Sequence, residues 1–242
     1  MSLVDQTCSA PAERSNWMRD LVLAHVPRDR RVKVLDVGCG TGSLLLRLAD
    51  ALPSAALTGI DLSPANIRAA RAQQEAHPAA VRLQFETADY LAYAAAPASF
   101  DAIVTDGVLH LIPGETTVLL RKLAGDIAPG GVLVCSLPYD CVYNRAFSAV
   151  RRGLRVVRAP WLDELILRVG RLLHRREMTD AGLRERIPYM YMPPERMMNR
   201  AFAAVAASAG LAIVRQYPMK STSLSQLKHC AMVFTRATTE AT

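Results

Sequence analysis

Residues 34–42 read Val34-Leu35-Asp36-Val37-Gly38-Cys39-Gly40-Thr41-Gly42. The apolar run through Val37 predicts a buried strand, and the leucine-rich residues 44–49 predict a helix that leaves it. The three alternate glycines predict a tight turn between the two, because residues without Cβ let the chain reverse sharply and let a ligand approach the backbone. Such a turn also leaves backbone N–H groups free at the start of the helix. This strand, turn and helix set the fold class and mark the first candidate ligand site.

The spacing of the glycines separates two kinds of nucleotide ligand. A dinucleotide turn requires G-x-G-x-x-G/A, so that a pyrophosphate lies on the helix N-terminus. This chain has Ser43 where that pattern needs its third small residue, and Asp36 would repel phosphate. The sequence therefore favours a ligand that carries positive charge, while a tight turn that binds nothing remains an alternative.

The pattern Asp-x-Gly-x-Gly-x-Gly resembles motif I of the class I methyltransferases that use S-adenosylmethionine. That ligand has a sulfonium and an amino group and no phosphate, so a nearby carboxylate favours it. The resemblance implies that S-adenosylmethionine is the cofactor and S-adenosylhomocysteine the product. It implies that the turn contributes five cofactor-binding residues: Asp36, Gly38, Cys39, Gly40 and Gly42.

The next predicted strand, residues 56–61, also ends in an acid. Asp61 follows the first glycine at the distance where an acid accepts hydrogen bonds from ribose hydroxyls. The resemblance implies that Leu62 packs on the adenine. Ser63 and Pro64 also predict an ordinary helix start, with Ser63 as the N-cap, and both interpretations can hold at once.

Two further strand-end acids continue the family pattern. The resemblance implies that Asp89, followed by Tyr90, binds the adenine amine, and that Asp106 lies on the ledge beside the transferred methyl group. Relatives more often carry Asn, Ser, Cys or Ala at the position of Asp106. The chain also lacks the Pro-Pro-Tyr or Pro-Pro-Phe continuation of enzymes that methylate adenine or glutamine amides. The chain most resembles the small-molecule branch, which includes the trans-aconitate and malonyl-carrier methyltransferases.

Strand and helix patterns alternate five times between residues 34 and 138. This order predicts a parallel sheet with helices on both faces and ligands at the carboxyl ends of its strands. The resemblance completes the expected α/β fold: a Rossmann-like, seven-stranded, mostly parallel sheet with an antiparallel last strand. The long connection after the fifth strand, with predicted helices of its own, predicts a helical cap inserted there. Predicted strands are residues 34–37, 56–61, 81–86, 100–106, 130–138, 211–218 and 228–235; predicted helices include 11–26, 44–49, 116–127, 161–176, 179–187 and 192–210.

Length and composition fit one domain. The 242 residues are 51% hydrophobic and 21% charged, enough to bury a sizeable core. We expect a single methyltransferase domain, 1–242: an N-terminal helical lid (1–30), a cofactor-binding core (31–138), a cap segment (139–190) and a C-terminal helix with strands (191–242). The sequence predicts neither a secretory signal nor a membrane span, so we expect a cytoplasmic protein. Five cysteines without a C-x-x-C pair indicate neither a disulfide framework nor a metal site.

The cap region carries the whole net charge. Residues 141–200 hold thirteen arginines, no lysine and six acids, which gives +7, the same as the entire chain. Three interpretations remain open. In the first, the arginines lie on the solvent-exposed faces of helices. In the second, they attract an anionic small substrate or a carrier-bound acyl group, because arginine binds carboxylates and phosphates bidentately. The third, binding of nucleic acid or an anionic membrane surface, ranks lowest, because few aromatic residues accompany the arginines.

Candidate catalytic residues follow the fourth and fifth strands. His110 lies four residues after Asp106 and is the candidate base, although a histidine there equally often has a packing role. Tyr139 lies just past the fifth strand and is a candidate for orienting the substrate. A carboxylate acceptor needs no base, whereas a hydroxyl or amine needs a proton acceptor. The candidate substrate-lining residues are Trp17, Tyr143 and Tyr191, and for Trp17 a place in the core is the stronger alternative.

The leading functional hypothesis is O-methylation of a small acidic or carrier-bound metabolite. N-methylation of a small metabolite and methylation of RNA are the alternatives within the same chemistry. The glycine spacing disfavours an NAD-dependent oxidoreductase. A catalytically inactive partner subunit that binds the cofactor is an alternative of another class, against which stands the intact set of strand-end acids.

Overall fold

The computed structural model describes residues 12–174, 180, 183–184, 187–192, 197–198, 201–219 and 227–237. Its seven-stranded sheet has the order β3-β2-β1-β4-β5-β7-β6. The strands are β1 (Lys33–Val37), β2 (Ala56–Asp61), β3 (Leu83–Thr87), β4 (Phe100–Asp106), β5 (Ile127–Pro138), β6 (Leu211–Pro218) and β7 (His229–Arg236). β1 to β5 pair in parallel, and β7 runs antiparallel to both β5 and β6. The predicted mostly parallel sheet with an antiparallel last strand is confirmed.

Helices cover both faces of this sheet, as predicted. They are α1 (Ala12–His25), α2 (Ser43–Ala51), α3 (Pro64–Glu75), α4 (Thr116–Asp126), α5 (Val142–Val156), α6 (Pro160–His174) and α7 (Phe202–Ser208). Buried side chains of α1, α2 and α3 form one core with one side of the sheet, and those of α4 and α7 form a second core with the other side. Among the described helices, none has the length and apolarity needed to cross a membrane.

The strand registers bring the predicted ligand acids to one edge of the sheet. Val37 at the end of β1 pairs with Ile60 of β2, and Asp106 at the end of β4 pairs with Ser136 of β5. Parallel strands end at the same edge, so Asp36, Asp61 and Asp106 all reach the carboxyl end of the sheet. The glycine turn leaves β1 at this same edge.

The cap segment differs from its prediction. α5 was not predicted as a helix, because its inward face is polar: Asn144, Ser148 and Arg151 are its buried residues. The Asn144 amide nitrogen donates to the carbonyl oxygens of Tyr139 and Lys228, both at 2.7 Å, which ties the first turn of α5 to the ends of β5 and β7. Hydrophobic periodicity shows that such a helix has an apolar and a polar face, but it does not show that the polar face lies inward.

Other helices and strands begin or end within a few residues of their predicted bounds. β3 begins at Leu83 rather than at Val81, because residues 80–82 form a 3-10 turn that leaves Val81 exposed. α6 covers nearly all of the predicted helix 161–176. The predicted helix 179–187 and the start of the helix predicted from residue 192 fall largely outside the described residues, as do Cys8, Arg175 and Arg176.

Candidate functional site

The three alternate glycines adopt a backbone conformation that other residues avoid. The φ angles of Gly38, Gly40 and Gly42 are +76°, +54° and +83°, all in the left-handed region. Space is limited as well: a Cβ on Gly38 would lie 2.6 Å from Val108 Cγ2, and one on Gly42 would lie 2.7 Å from Phe85 Cζ. The predicted tight turn is confirmed, with glycine needed for both reasons.

The N–H groups of Gly38, Cys39, Gly40 and Gly42, which precede α2, are already hydrogen-bonded within the protein. The N–H groups of Gly38 and Cys39 donate to the carbonyl oxygen of Ile60, at 2.8 and 3.0 Å. The N–H of Gly40 donates to Asp61 Oδ2 at 2.9 Å, and that of Gly42 to the carbonyl oxygen of Cys39. The end of β2 thus satisfies donors that a phosphate would require. The turn allows close approach of a ligand to the backbone without forming an anion cradle from these four amides.

Asp61 has a structural role besides the predicted one. Its Oδ1 accepts hydrogen bonds from the Ser63 N–H at 2.8 Å and from the Asn66 side-chain amide at 3.0 Å. With the Gly40 bond these fill three of about four acceptor positions of a carboxylate. Ser63 also caps α3, since its side chain accepts from the N–H of Asn66. Leu62, next in sequence, is 54% exposed and offers an apolar surface beside the carboxylate.

Asp36 is buried at the end of β1. Burial, followed by the negative charges of Asp106 and Asp61, raises the pKa of its carboxyl well above the ordinary value. An ionised Asp36 would therefore be stabilised by a cation that enters this edge of the sheet. The electrostatics agree with the positively charged ligand that the sequence favours.

Asp89 and Tyr90 are adjacent in sequence, but their side chains lie in different environments. Asp89 is exposed, and its Oδ1 accepts from the N–H of Leu91 at 2.9 Å. With Glu86 and Tyr93 it lines an open cleft of about 460 Å³. Tyr90 is buried, and its hydroxyl donates to Asp126 Oδ2 at 2.9 Å. Its ring belongs to the core beneath α4, which gives no support to the predicted cofactor contact.

The side chain of Cys39 also lies in the core. Its Sγ would be 2.9 Å from a Cβ placed on Gly59, and burial raises the pKa of the thiol. Only the backbone of Cys39 belongs to the turn surface. Its predicted cofactor contact is corrected to that backbone.

An arginine from the first helix reaches the end of β4, which sequence reasoning missed. Arg14 Nε donates to Asp106 Oδ1 at 2.6 Å, and Arg14 Nη2 donates to Ser136 Oγ at 2.7 Å. The Ser136 hydroxyl donates to the same Asp106 oxygen at 2.6 Å. Gly107 leaves room for this cluster, since a Cβ there would lie 2.8 Å from Arg14 Nη2. The sequence signal that could have predicted this contact is Asp106, an acid at a position that is usually neutral in the family. A partly buried carboxylate requires a hydrogen-bonding or charged partner, so a cation was to be expected nearby.

His229 of β7 lies beside the predicted base His110, with the ring centroids 6.1 Å apart. Its Nδ1 lies 2.9 Å from the carbonyl oxygen of Leu227. A carbonyl only accepts, so we assign the hydrogen to Nδ1 and a lone pair to Nε2. Nε2 is buried and has no hydrogen-bond partner among the described residues. Burial, then the cations Arg14 and Arg151, lower the pKa of His229 to about 4, so its ring is neutral near pH 7.

Tyr139 and Tyr143 lie where β5 passes into α5. Burial and the nearby Cys141 raise the pKa of Tyr139, so its phenol stays protonated and serves as a hydrogen-bond donor. The Tyr143 ring stacks on Phe147 at 5.7 Å, and the ammonium of Lys228 lies 5.2 Å from the ring centre.

Tyr191 and Trp17 pack against other side chains. The Tyr191 hydroxyl donates to Asp163 Oδ1 at 2.5 Å, and its ring is buried in the small core of the cap segment with Leu162 and Leu167. This packing gives no support to the prediction that Tyr191 lines a substrate pocket. Trp17 is half-buried and meets Tyr217 edge to face at 6.1 Å beside the main core, which favours the packing alternative.

The cap arginines divide into two groups. Arg155, Arg158 and Arg168 are exposed, as the solvated-face interpretation expects. Arg151 is 8% exposed, and burial lowers its pKa to about 10. Its Nη1 donates to the carbonyl oxygen of Met192 at 3.0 Å, its guanidinium lies 4.9 Å from the Phe147 ring centre, and its buried Nε has no hydrogen-bond partner among the described residues.

Comparisons with known proteins agree with this geometry. Residues 34–131 match the model of a family described as a methyltransferase domain. The chain is 35% identical over 155 residues to the trans-aconitate 2-methyltransferase of Azoarcus sp. (strain BH72), covering 63% of this chain and 55% of that protein. The chain spans about half the length of the curated relatives it matches.

Solved structures with much lower identity share the fold. Magnesium protoporphyrin IX methyltransferase from Synechocystis PCC 6803, solved with S-adenosylhomocysteine bound, has a TM-score of 0.60 at 17% identity, over 93% of this chain and 83% of that chain. The cyclase SpnF has a TM-score of 0.63 at 16% identity, over 96% and 84%. A shared fold does not fix a reaction. The domain match over residues 34–131, the curated relatives and the sheet with its glycine turn support a class I S-adenosylmethionine-dependent methyltransferase domain.

Proposed function

We propose that the chain transfers a methyl group from S-adenosylmethionine to an oxygen of a small acidic acceptor. The observation that carries this proposal is the division of charge at one edge of the sheet. Carboxylates surround the glycine turn, whereas the buried Arg151 and the partly buried Arg14, which is paired with Asp106, lie near His229 and both lower its pKa. A cationic cofactor and an anionic acceptor would each meet groups of the opposite charge.

The cofactor side of this arrangement fits S-adenosylmethionine. Asp61 has one acceptor position left for a ribose hydroxyl, and the exposed Leu62 offers an apolar surface to the adenine. Asp36 would hold positive charge, and Asp89 would accept from the adenine amine. When bound, the cofactor supplies a methyl group on a positively charged sulfur, and alignment of the acceptor with that methyl group is the main catalytic requirement.

The acceptor side fits a small acid. Arg151 has a buried, unpartnered Nε donor in the described structure, and a carboxylate would satisfy it. Tyr139 adds a protonated phenol that would orient an acceptor oxygen. Several relatives are named for trans-aconitate, a small acid, which makes this compound the first acceptor to test.

One observation favours a second candidate, an acceptor that must lose a proton. The buried lone pair on His229 Nε2, next to His110, would accept a hydrogen bond from a hydroxyl or an amine. O-methylation at a hydroxyl and N-methylation of a small metabolite both meet this condition.

The proposal is tested in two steps. Calorimetry of the purified chain with S-adenosylmethionine and with NAD measures cofactor choice, and we expect saturable binding of S-adenosylmethionine alone. Release of S-adenosylhomocysteine is then measured with trans-aconitate, other small di- and tricarboxylic acids, and neutral hydroxyl and amine compounds. Turnover with the acids supports the proposal. Turnover confined to the neutral compounds, or cofactor binding without turnover on any compound, contradicts it.

A further inference from the structure

The outer face of α5 is apolar and exposed. Val142, Val150 and Val157 are spaced so that they share one side of the helix, and Val156 beside them is 86% exposed. The buried face of the same helix carries Asn144, Ser148 and Arg151. α5 is therefore amphipathic in the opposite sense to a helix that packs its apolar side on a core.

α6 repeats this pattern. Trp161, Leu165, Val169 and Leu172 are exposed and lie at positions i, i+4, i+8 and i+11, which form one stripe along the helix. Trp161 is 61% exposed and Leu172 is 81% exposed. Other apolar side chains of α6, such as Leu162 and Leu167, pack into the core of the cap segment. Single exposed apolar residues are ordinary, but two successive helices with such stripes indicate an interaction surface.

Cationic side chains border both stripes. The exposed Arg152 lies beside the valine stripe of α5, and the exposed Arg168 precedes Val169 on α6. The region containing both helices carries the net charge of +7 of the whole chain. A second copy of this chain would bring two such positive faces together, so the charge opposes self-association and favours an anionic partner.

We propose that the outer faces of α5 and α6, together called the cap face, dock on a lipid bilayer that contains anionic headgroups. Helices that lie in a membrane interface combine an apolar face bearing Trp or Leu with flanking Lys or Arg. The apolar side chains would enter the boundary between headgroups and acyl chains, and the arginines would contact lipid phosphates. The proposal concerns attachment to a surface and does not depend on which acceptor is methylated.

The test is co-sedimentation of the whole chain with phosphatidylcholine vesicles, with and without phosphatidylglycerol. We expect binding to the phosphatidylglycerol vesicles, weakened at high ionic strength because salt screens the arginines. Leu172→Gln and Val156→Gln should each lower the partition coefficient by about tenfold, since each removes an apolar side chain from the interface. Both positions are exposed, so folding is unaffected. Val81→Gln, which replaces an exposed valine remote in sequence from the cap segment, is the matched control.

Tryptophan fluorescence reports on the same event. Trp161 should shift to shorter wavelength on addition of phosphatidylglycerol vesicles, and Trp161→Phe should abolish the shift while the half-buried Trp17 remains. Absence of binding at low ionic strength overturns the proposal. Equal losses for Val81→Gln and Leu172→Gln, or a dimer in sedimentation velocity that Leu172→Gln dissociates, also overturn it. Cofactor affinity of each variant, measured by calorimetry, verifies the fold.

Discussion

Asp36 and Asp61 end neighbouring strands, and their surroundings give them different properties. Asp61 is only partly buried and accepts three hydrogen bonds from the turn and from α3. Asp36 is buried, and nearby carboxylates raise its pKa further. Asp61 holds the turn and the start of α3 together, and Asp36 makes this edge of the sheet receptive to positive charge.

Replacement of Asp61 should weaken cofactor binding. Asp61→Ala removes the predicted acceptor for a ribose hydroxyl, and a hydrogen bond to a charged group contributes about 1.5 to 3 kcal/mol. We expect a loss of at least tenfold in affinity for S-adenosylmethionine by calorimetry. Asp50→Ala, at an exposed acid of α2, is the control, and thermal unfolding monitors the structural bonds that Asp61 also makes. Unchanged affinity would remove Asp61 from the site.

Asp36 should make stability depend on pH. Its pKa is raised in the folded chain, so the folded state favours the protonated form; this stabilisation is complete below the ordinary pKa and is lost as the pH rises through the raised value. Asp36→Asn should therefore unfold at a higher urea concentration than the parent near pH 7, because the amide is neutral at every pH and needs no proton to be buried. The difference should shrink towards pH 4. A difference that is constant with pH would contradict the electrostatic assignment.

His110 remains a predicted base. If the acceptor loses a proton, His110→Ala should slow turnover by about 10² to 10⁴ with little change in cofactor affinity. Release of S-adenosylhomocysteine gives the rate and calorimetry gives the affinity. His25→Ala, in the last turn of α1, is the control. A rate equal to that of the parent would show that the methylated oxygen belongs to a carboxylate.

Among the elements, α1 and α5 make the contacts that local patterning missed. α1 packs on α2 and sends Arg14 to the ends of β4 and β5. α5 turns Asn144 and Arg151 inward and leaves its valines outside. Both helices therefore contribute polar groups to the edge of the sheet where the strand-end acids lie.

The ion pair between Arg14 of α1 and Asp106 of β4 can be measured as a coupling energy between the two side chains. Arg14→Met leaves Asp106 without its cation, and we expect it to lower the free energy of unfolding by about 1.5 to 3 kcal/mol. Asp106→Asn, which introduces a residue type common in the family, should recover part of this loss in the double variant. Urea unfolding of the two single variants and the double variant gives the coupling. Additive effects would mean that the ion pair contributes no net stability.

For the molecule as a whole, the charge asymmetry of the site gives the last prediction. Arg151→Gln should raise the KM for anionic acceptors by about tenfold or more, because a charge-assisted hydrogen bond is lost. The affinity for S-adenosylmethionine should change little, since the acids that face it are intact. Arg155→Gln, at an exposed arginine one turn along the same helix, is the matched control. Equal effects of the two substitutions on KM would place Arg151 outside the acceptor site.

The strands, the glycine turn and the order of the strand-end acids could all be predicted from local sequence. Buried parallel strands require continuous apolar runs, and left-handed φ angles require glycine, so both leave a signal within a few residues. The same holds for the Ser63 cap of α3. The prediction that Asp61 is a site residue followed from its distance to Gly38 along the chain.

The tertiary structure alone brings together four residues that span more than two hundred positions of the chain: Arg14, Ser136, Arg151 and His229. They become neighbours only when the strands assemble into the sheet and the helices pack on it. Arginine, serine and histidine are common throughout the sequence, and nothing near any of them says which partner it will meet. Burial likewise divided Tyr90 from Asp89, one residue apart, because a neighbouring helix covered one and left the other exposed. Backbone conformation is encoded locally, whereas desolvation and ion pairing depend on what the rest of the chain places alongside.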